Sequence, residues 1–335
     1  MDNPVDSRAA PQAHPVERHP MPRPTLLPGL RLLWRNRHTV QLGTDPGQAV
    51  VLELPHPAAA RLFELLDGAR TERAVLAEMG RIGMAAAQVH EILGALVEAG
   101  LVVPADALLP AALPPDRRDE LRDEATALAL RQAGQHGARP ARTLRRRGAA
   151  RIVVAGTGPL ADLLGQTLQA AGVGTVAWVR TPGGTARVSG AARHPMRATD
   201  ATFRVQVGPA VTGRGTRRRV PHLALGVRDG TAVVGPLVPA TGGPCLHCLE
   251  LHRADRDPCW PDLAAQLVQA VPERDPCAAA TRVTAAGFAA AEVLAYLDGA
   301  EPTTIGTTVE INGVAPWRRR SWAPHPACDC TRRRR

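Results

Sequence analysis

Between residues 24 and 105 the spacing of apolar positions changes from strand-like to helical. Residues 30–34, 39–42 and 49–54 are short runs rich in Leu, Val and Trp. They are separated by Asn36-Arg37 and by the turn Asp45-Pro46-Gly47, so each predicts a strand. From Pro57 the period lengthens. Helices are predicted over 57–66, with Pro57 in the first turn and Asp67-Gly68 as the stop, over 71–80 behind a Thr71 cap, and over 85–99 ending at Gly100. In the third helix Val89, Ile92, Leu93, Leu96 and Val97 share one face. A last extended piece, 101–103, is halted by Pro104. Three strands followed by three helices describe a compact winged-helix-like domain over 24–105.

Residues 116–132 read as a charged amphipathic helix and 133–149 as a polar, arginine-rich linker. A different pattern starts at Arg151. Ile152, Val153 and Val154 form a buried strand that runs into Gly156-Thr157-Gly158-Pro159-Leu160-Ala161. A helix over 163–171 and a strand over 175–179 follow. This βαβ opening predicts an α/β, Rossmann-like second domain over 151–330. Residues 1–23 have little to bury and are expected to be disordered; 106–150 are helix plus linker, and 331–335 a basic tail.

Composition changes the picture in two ways. The formal charge is +10, and all 41 basic residues are arginine. Without lysine there is no Schiff-base chemistry, no P-loop lysine and no lysine general base. The arginines gather at 145–147, 217–219, 318–320 and 332–335, runs that read as solvated surface. From Pro24 to Ala105 there are seven Arg against eight Asp plus Glu. The third helix has Glu91 and Glu98 and no Arg, a poor recognition helix for a polyanion, so nucleic acid is not expected as a partner. No apolar run reaches membrane-spanning length, and a soluble, cytoplasmic protein is expected.

Gly156 and Gly158 stand where a helix N-terminus faces phosphate in nucleotide-binding folds. The acid that would hold a ribose belongs about 20 residues on, at the end of the second strand. Arg180 stands there, and no Asp or Glu occurs from Leu163 through Thr199. Pro159 also removes a backbone donor. The glycines then serve helix–strand packing, and ATP is not expected.

All six cysteines lie in the last third of the chain. Cys245-x-x-Cys248 and Cys328-x-Cys330 are two chelating pairs far apart in sequence, the pattern of a structural tetrahedral zinc site with no open position. A redox pair or free thiols are the other readings; redox activity would want the first pair at a helix start with an activated thiol, and it leaves Cys328-x-Cys330 unexplained. His247, His252 and His325 are spare candidates for one ligand position and read as outer-shell or exposed. Cys259 and Cys277 read as small packing residues.

With these motifs in place the chain resembles the ThiF/MoeB-like superfamily of ubiquitin-activating-type enzymes. More narrowly, it resembles the actinobacterial cyclodehydratase-type proteins that bind precursor leader peptides in thiazole/oxazole-modified microcin (TOMM) biosynthesis. The carrying residues are the Gly156-x-Gly158 turn, Val220 to Gly226, and Val234 to Val238 leading into Cys245-x-x-Cys248. Asp255-Arg256-Asp257-Pro258-x-Trp260-Pro261 and Arg320-x-Trp322-x-x-His325-Pro326-x-Cys328-x-Cys330 complete them. The resemblance implies the four-cysteine zinc site and a homodimer. It also implies that ATP chemistry belongs to a separate YcaO-type partner. Residues 24–105 resemble the PqqD-like recognition element of such systems. There a leader peptide adds as a strand beside the third strand, here Ala49, Val50, Val51 and Leu52, and packs on the third helix, here Val89, Ile92, Leu93 and Leu96. A non-catalytic, leader-peptide-binding scaffold is therefore expected. An ATP-dependent adenylyltransferase or sulfur-carrier activator is the alternative, followed by a winged-helix DNA-binding regulator.

Overall fold

The computed structural model describes residues 21–45, 49–131, 139–179, 186–190, 200–208, 220–269 and 276–332. Arg180, the arginines at 217–219 and 333–335, residues 1–20, and the turn residues Pro46 and Gly47 lie outside the described residues. The chain divides into two compact units. One comprises residues 1–108 and 126–138, the other residues 109–125 and 139–335.

In the first unit the strands are β1 (Pro24–Leu26), β2 (Leu32–Trp34), β3 (Thr39–Leu42) and β4 (Val50–Glu53). A 3-10 turn at Pro57–Ala60 leads into α1 (Arg61–Leu65), α2 (Glu72–Arg81) and α3 (Ala86–Glu98), followed by β5 (Val102–Pro104) and the short α4 (Ala105–Leu108). Strands β2, β3 and β4 form an antiparallel sheet in that order. The hydroxyl of Thr71 caps α2, accepting from the Ala74 N–H at 3.3 Å. The sequence pattern missed β1, which pairs with β5 from Pro24↔Pro104 to Leu26↔Val102. Three residues without alternation give no period to read.

The inward row of the small sheet, Val40 and Leu42, packs with Leu62, Leu66, Met79, Val89, Leu93 and Leu96. The apolar face of α3 is thus the one its spacing predicts, and it belongs to this interior. Val89, Leu93 and Leu96 are fully buried and Ile92 nearly so.

The second unit opens with α5 (Pro115–Glu120) and the first turn of α6 (Arg122–Arg131). Next comes α7 (Pro140–Ala149), where composition suggested a linker. Then follow β6 (Arg151–Ala155), α8 (Pro159–Ala170), β7 (Thr175–Val179), β8 (Ala186–Gly190), β9 (Phe203–Val207), β10 (His222–Arg228) and β11 (Thr231–Val238). The remaining elements are α9 (Leu246–Ala254), α10 (Trp260–Gln269), α11 (Ala279–Asp298), β12 (Thr307–Ile311), β13 (Arg318–Ser321) and α12 (Asp329–Arg332). Eight strands make one mixed sheet, ordered β13-β12-β11-β10-β9-β6-β7-β8. Its centre, β10-β9-β6-β7, is parallel, and the flanks are antiparallel. The chain leaves β6 toward β7 and later returns to the other side of β6 as β9, which creates the switch point of a Rossmann-like α/β sheet.

Ile152, Val154, Val176, Phe203, Val205, Leu223, Leu225 and Val234 form one core with residues of α8 and α11. Helix α11 presents Ala285, Ala286, Ala289 and Ala290 to it, side chains short enough for close approach. In α8 a Cβ on Gly165 would lie 2.1 Å from the Trp178 ring, so only glycine lets this helix sit on β7. Among the described residues no helix is long and apolar enough to cross a membrane.

Candidate metal centre

Helix α9 begins at the first cysteine pair. Cys245 is its N-cap residue and Cys248 lies in its first turn, the x-x spacing bringing both thiols to one end of the helix. The C-terminal arm that follows β13 delivers the second pair, its turn closed by the Cys328 N–H donating to the His325 carbonyl at 3.0 Å. The arm thereby brings Cys328 and Cys330 against the start of α9. The Sγ–Sγ separations are 3.7 Å for Cys245–Cys248, 3.6 Å for Cys245–Cys328 and 3.4 Å for Cys248–Cys330. All four sulfurs lie within 4.8 Å of one another, and Cys248 and Cys328 are buried.

A tetrahedron with Zn–S bonds of ~2.3 Å has edges of ~3.8 Å. Those separations match such a shell closely enough that small side-chain adjustments would complete it. Burial pushes the Cys328 thiol up to about 11 and moves Cys330 in the same direction. For Cys248 burial also opposes ionisation, but the His325 and Cys245 backbone N–H groups and the neighbouring thiols outweigh it and bring its pKa down. Thiols bind a metal as thiolates, so filling this cluster with a cation would release protons. The four cysteines can therefore hold a metal ion and are compatible with zinc.

The histidines sort themselves by contact. His325 is buried; its Nδ1 accepts from the Ala327 N–H at 3.1 Å and its Nε2 donates to Asp255 Oδ2 at 2.8 Å. His252 Nε2 donates to the Ala323 carbonyl at 2.9 Å, with its ring edge-on to His325 at 4.8 Å. Asp255 was visible only as part of a longer motif. A helical reading of 246–254 would have marked it, since Cys248, His252 and Asp255 follow at i, i+4 and i+7 along one face. Of the other two cysteines, Cys259 is exposed and Cys277 packs against the core ahead of α11.

The glycine loop lies at the switch point. Gly156 has φ +138°, and a Cβ there would meet the Val207 carbonyl oxygen at 2.4 Å. Packing alone therefore requires this glycine. Gly158 has φ +98° and open space where a Cβ would stand. Pro159 is the first residue of α8, and Asp162 puts an acid in its first turn.

In the first unit β4 is an edge of its sheet among the described residues. Val50 and Leu52 are half-buried against the core, Ala49 is half-buried just before the strand, and Val51 is exposed on the opposite face. Val89, Ile92, Leu93 and Leu96 are buried in the interior of this unit, in the cluster against which Val50 and Leu52 pack.

No protein-family model matches the chain, and no curated protein does. Among solved structures the chain is similar to the heterocyclase TruD, at 15% identity and a TM-score of 0.58, over 92% of this chain and 42% of that one. It is similar to a heterocyclase in complex with substrate and cofactor, at 13% identity and a TM-score of 0.59, over 92% of this chain and 39% of that one. E. coli MccB solved with MccA gives 14% identity and a TM-score of 0.53, over 92% of this chain and 99% of MccB. MccB solved with ATP also gives a TM-score of 0.53, at 12% identity over the same shares of the two chains. The fold is shared across almost the whole chain. The chain spans less than half the length of the heterocyclases and nearly all of MccB.

Proposed function

We propose that this chain recognises a precursor leader peptide and serves as a scaffold in a peptide-modifying system of the thiazole/oxazole cyclodehydratase type. In this reading it works beside a YcaO-type enzyme and catalyses no step itself. The observation that carries it is the edge strand β4, where Val50 and Leu52 are fixed by the core beneath and no further strand covers the outer side among the described residues. Strand addition uses main-chain hydrogen bonds for affinity and alternate side chains for choice. The PqqD-like reading of residues 24–105 supplies the same site. Support also comes from the shared fold, since the similar structures include MccB with MccA and a heterocyclase with its substrate.

The test is fluorescence anisotropy with labelled synthetic peptides, taken from short reading frames next to the gene. Wild-type protein should bind one of them. Leu52→Pro should lose at least tenfold in affinity, as should Val50→Asp, while unchanged circular dichroism shows that the unit stays folded. Normal binding by both folded variants would refute the strand-addition model.

The four cysteines hold zinc in this proposal as a structural ion, the full thiolate shell leaving no position for a catalytic water. The chain is expected to form a homodimer, which light scattering would read directly.

One observation favours the alternative of an ATP-dependent adenylyltransferase. Gly158 leaves open space at the N-terminus of α8, in a fold shared with MccB solved with ATP. Isothermal titration separates the two readings. The scaffold reading expects no heat with ATP and magnesium; micromolar affinity would overturn it, and the alternative further expects pyrophosphate exchange.

A further inference from the structure

The C-terminal arm must bring Cys328 and Cys330 to α9 from a strand whose last residue is Ser321. Contacts that need no metal line this path. The Trp322 N–H donates to the Gly306 carbonyl at 2.8 Å and its indole Nε1 to Thr308 Oγ1 at 3.1 Å. The Arg256 guanidinium lies 5.6 Å over the same indole. One residue further, the Ala323 carbonyl accepts from His252. Two residues beyond that, the buried imidazole of His325 joins the arm to Asp255, the C-cap residue of α9. The last turn of α9 therefore grips residues 322–325, while its first turn faces residues 328–330.

His252, Asp255 and His325 also have the composition of a second metal site. The hydrogen bonds argue against that use. Nδ1 of His325 accepts from a backbone N–H, so the ring hydrogen sits on Nε2, where it bonds Asp255. Neither ring nitrogen keeps a free lone pair for an ion. The cluster has the chemistry of a connector.

We propose that His252, Asp255 and His325 form a latch that holds the C-terminal arm on α9 and so positions Cys328 and Cys330 for the zinc ion. This rests on the zinc reading of the four cysteines. With the latch closed, the second chelating pair stays beside the first when one metal–sulfur bond opens. The bond re-forms before the ion escapes, so the latch acts chiefly on the release rate. Outer-shell groups of this kind change metal affinity by about 10–100-fold. His325 is the buried member, whereas the Asp255 side chain is 64% exposed and its charge is screened by water. The hydrogen bond matters more than the carboxylate's charge.

The experiment follows zinc transfer from the zinc-loaded full-length protein to a chromogenic chelator, alongside a urea denaturation curve of each variant. His325→Ala should release zinc about tenfold faster or more, Asp255→Ala should be intermediate, and Asp255→Asn, which keeps an acceptor oxygen, should stay near wild type. All should hold one zinc at saturation with an unchanged urea midpoint. Wild-type release rates in His325→Ala and Asp255→Ala would overturn the latch, as would rate increases matched by a fall in the urea midpoint. If His325→Ala does not fold, His252→Ala and Asp255→Ala carry the same comparison. A wild-type chain that takes up no zinc would instead overturn the reading of the four cysteines.

Discussion

Replacing Cys248 with serine is expected to abolish zinc binding and free the end of the C-terminal arm beyond His325, while the central sheet stays folded. Cys248 is the most buried of the four thiols and lies 3.7 Å and 3.4 Å from the sulfurs of Cys245 and Cys330. A serine hydroxyl at pH 7 is neutral and a weak zinc ligand, so the shell loses a thiolate at its centre. Structural zinc can supply ~10–16 kcal/mol of folding free energy in isolated fingers. Here the effect is local, because the sheet has a core of its own built from β6, β9, β10, β11 and α11. Elemental analysis should fall from about one zinc per chain to nearly none. Hydrogen exchange should rise at residues 328–332 and in the first turn of α9, with β6 and β9 unchanged. Treating the wild type with a strong chelator should give the same exchange pattern. Full protection of the arm in the zinc-free variant would show that the latch residues alone hold it, and the ion would lose its stapling role.

What could be read from the sequence followed local chemistry. The two cysteine pairs show a chelating pattern in their spacing, and the fold brings their sulfurs within 4.8 Å of one another. The glycine turn and the βαβ opening were legible for the same reason: a strand, a tight turn and a helix are contiguous in sequence. A packing role for Gly156 was legible too, since it is held by its close approach to Val207. The third helix of the first unit shows where periodicity stops. Its spacing gave the face of Val89, Ile92, Leu93 and Leu96, but an apolar stripe does not say whether it meets the protein's own core or a ligand. In the structure all four side chains are buried. Short elements without a period, such as β1, exist only because a distant strand, β5, completes their hydrogen bonds.

The arginine run at 145–147 hid the largest misreading, and it carries the second large effect. Charge runs usually mark solvated surface, yet α7 turns Ala141, Thr143, Leu144 and Arg147 inward and leaves Arg145 and Arg146 outside. An arginine in a core position of an amphipathic helix breaks the apolar pattern by which that helix would be recognised. The Arg147 side chain is 1% exposed. Its Nε and Nη2 donate to the two carboxylate oxygens of Asp298 at 2.9 and 2.6 Å. Nη1 donates to Glu124 at 2.6 Å and to the Ala171 carbonyl at 3.0 Å. These bonds tie α7 to the end of α11, the start of α6 and the end of α8. Burial alone would lower the guanidinium's pKa, but the bonds and charges of Asp298 and Glu124 outweigh it and raise it. The group therefore stays charged at any pH at which the protein is folded. Arg147→Ala removes the cation and leaves a cavity, the case in which breaking a buried pair costs about 3–5 kcal/mol. Against a total stability of about 5–15 kcal/mol, urea denaturation should show a large fall in midpoint. Arg147→Met separates charge from volume. It fills the space, and Asp298 and Glu124 keep 19% and 27% of their side-chain surface exposed, so water can recover part of their solvation. Its loss should fall below that of the alanine variant. Equal losses would assign the effect to the unpaired carboxylates, and a loss under ~1 kcal/mol in both would mean that Arg147 does not hold these helices together.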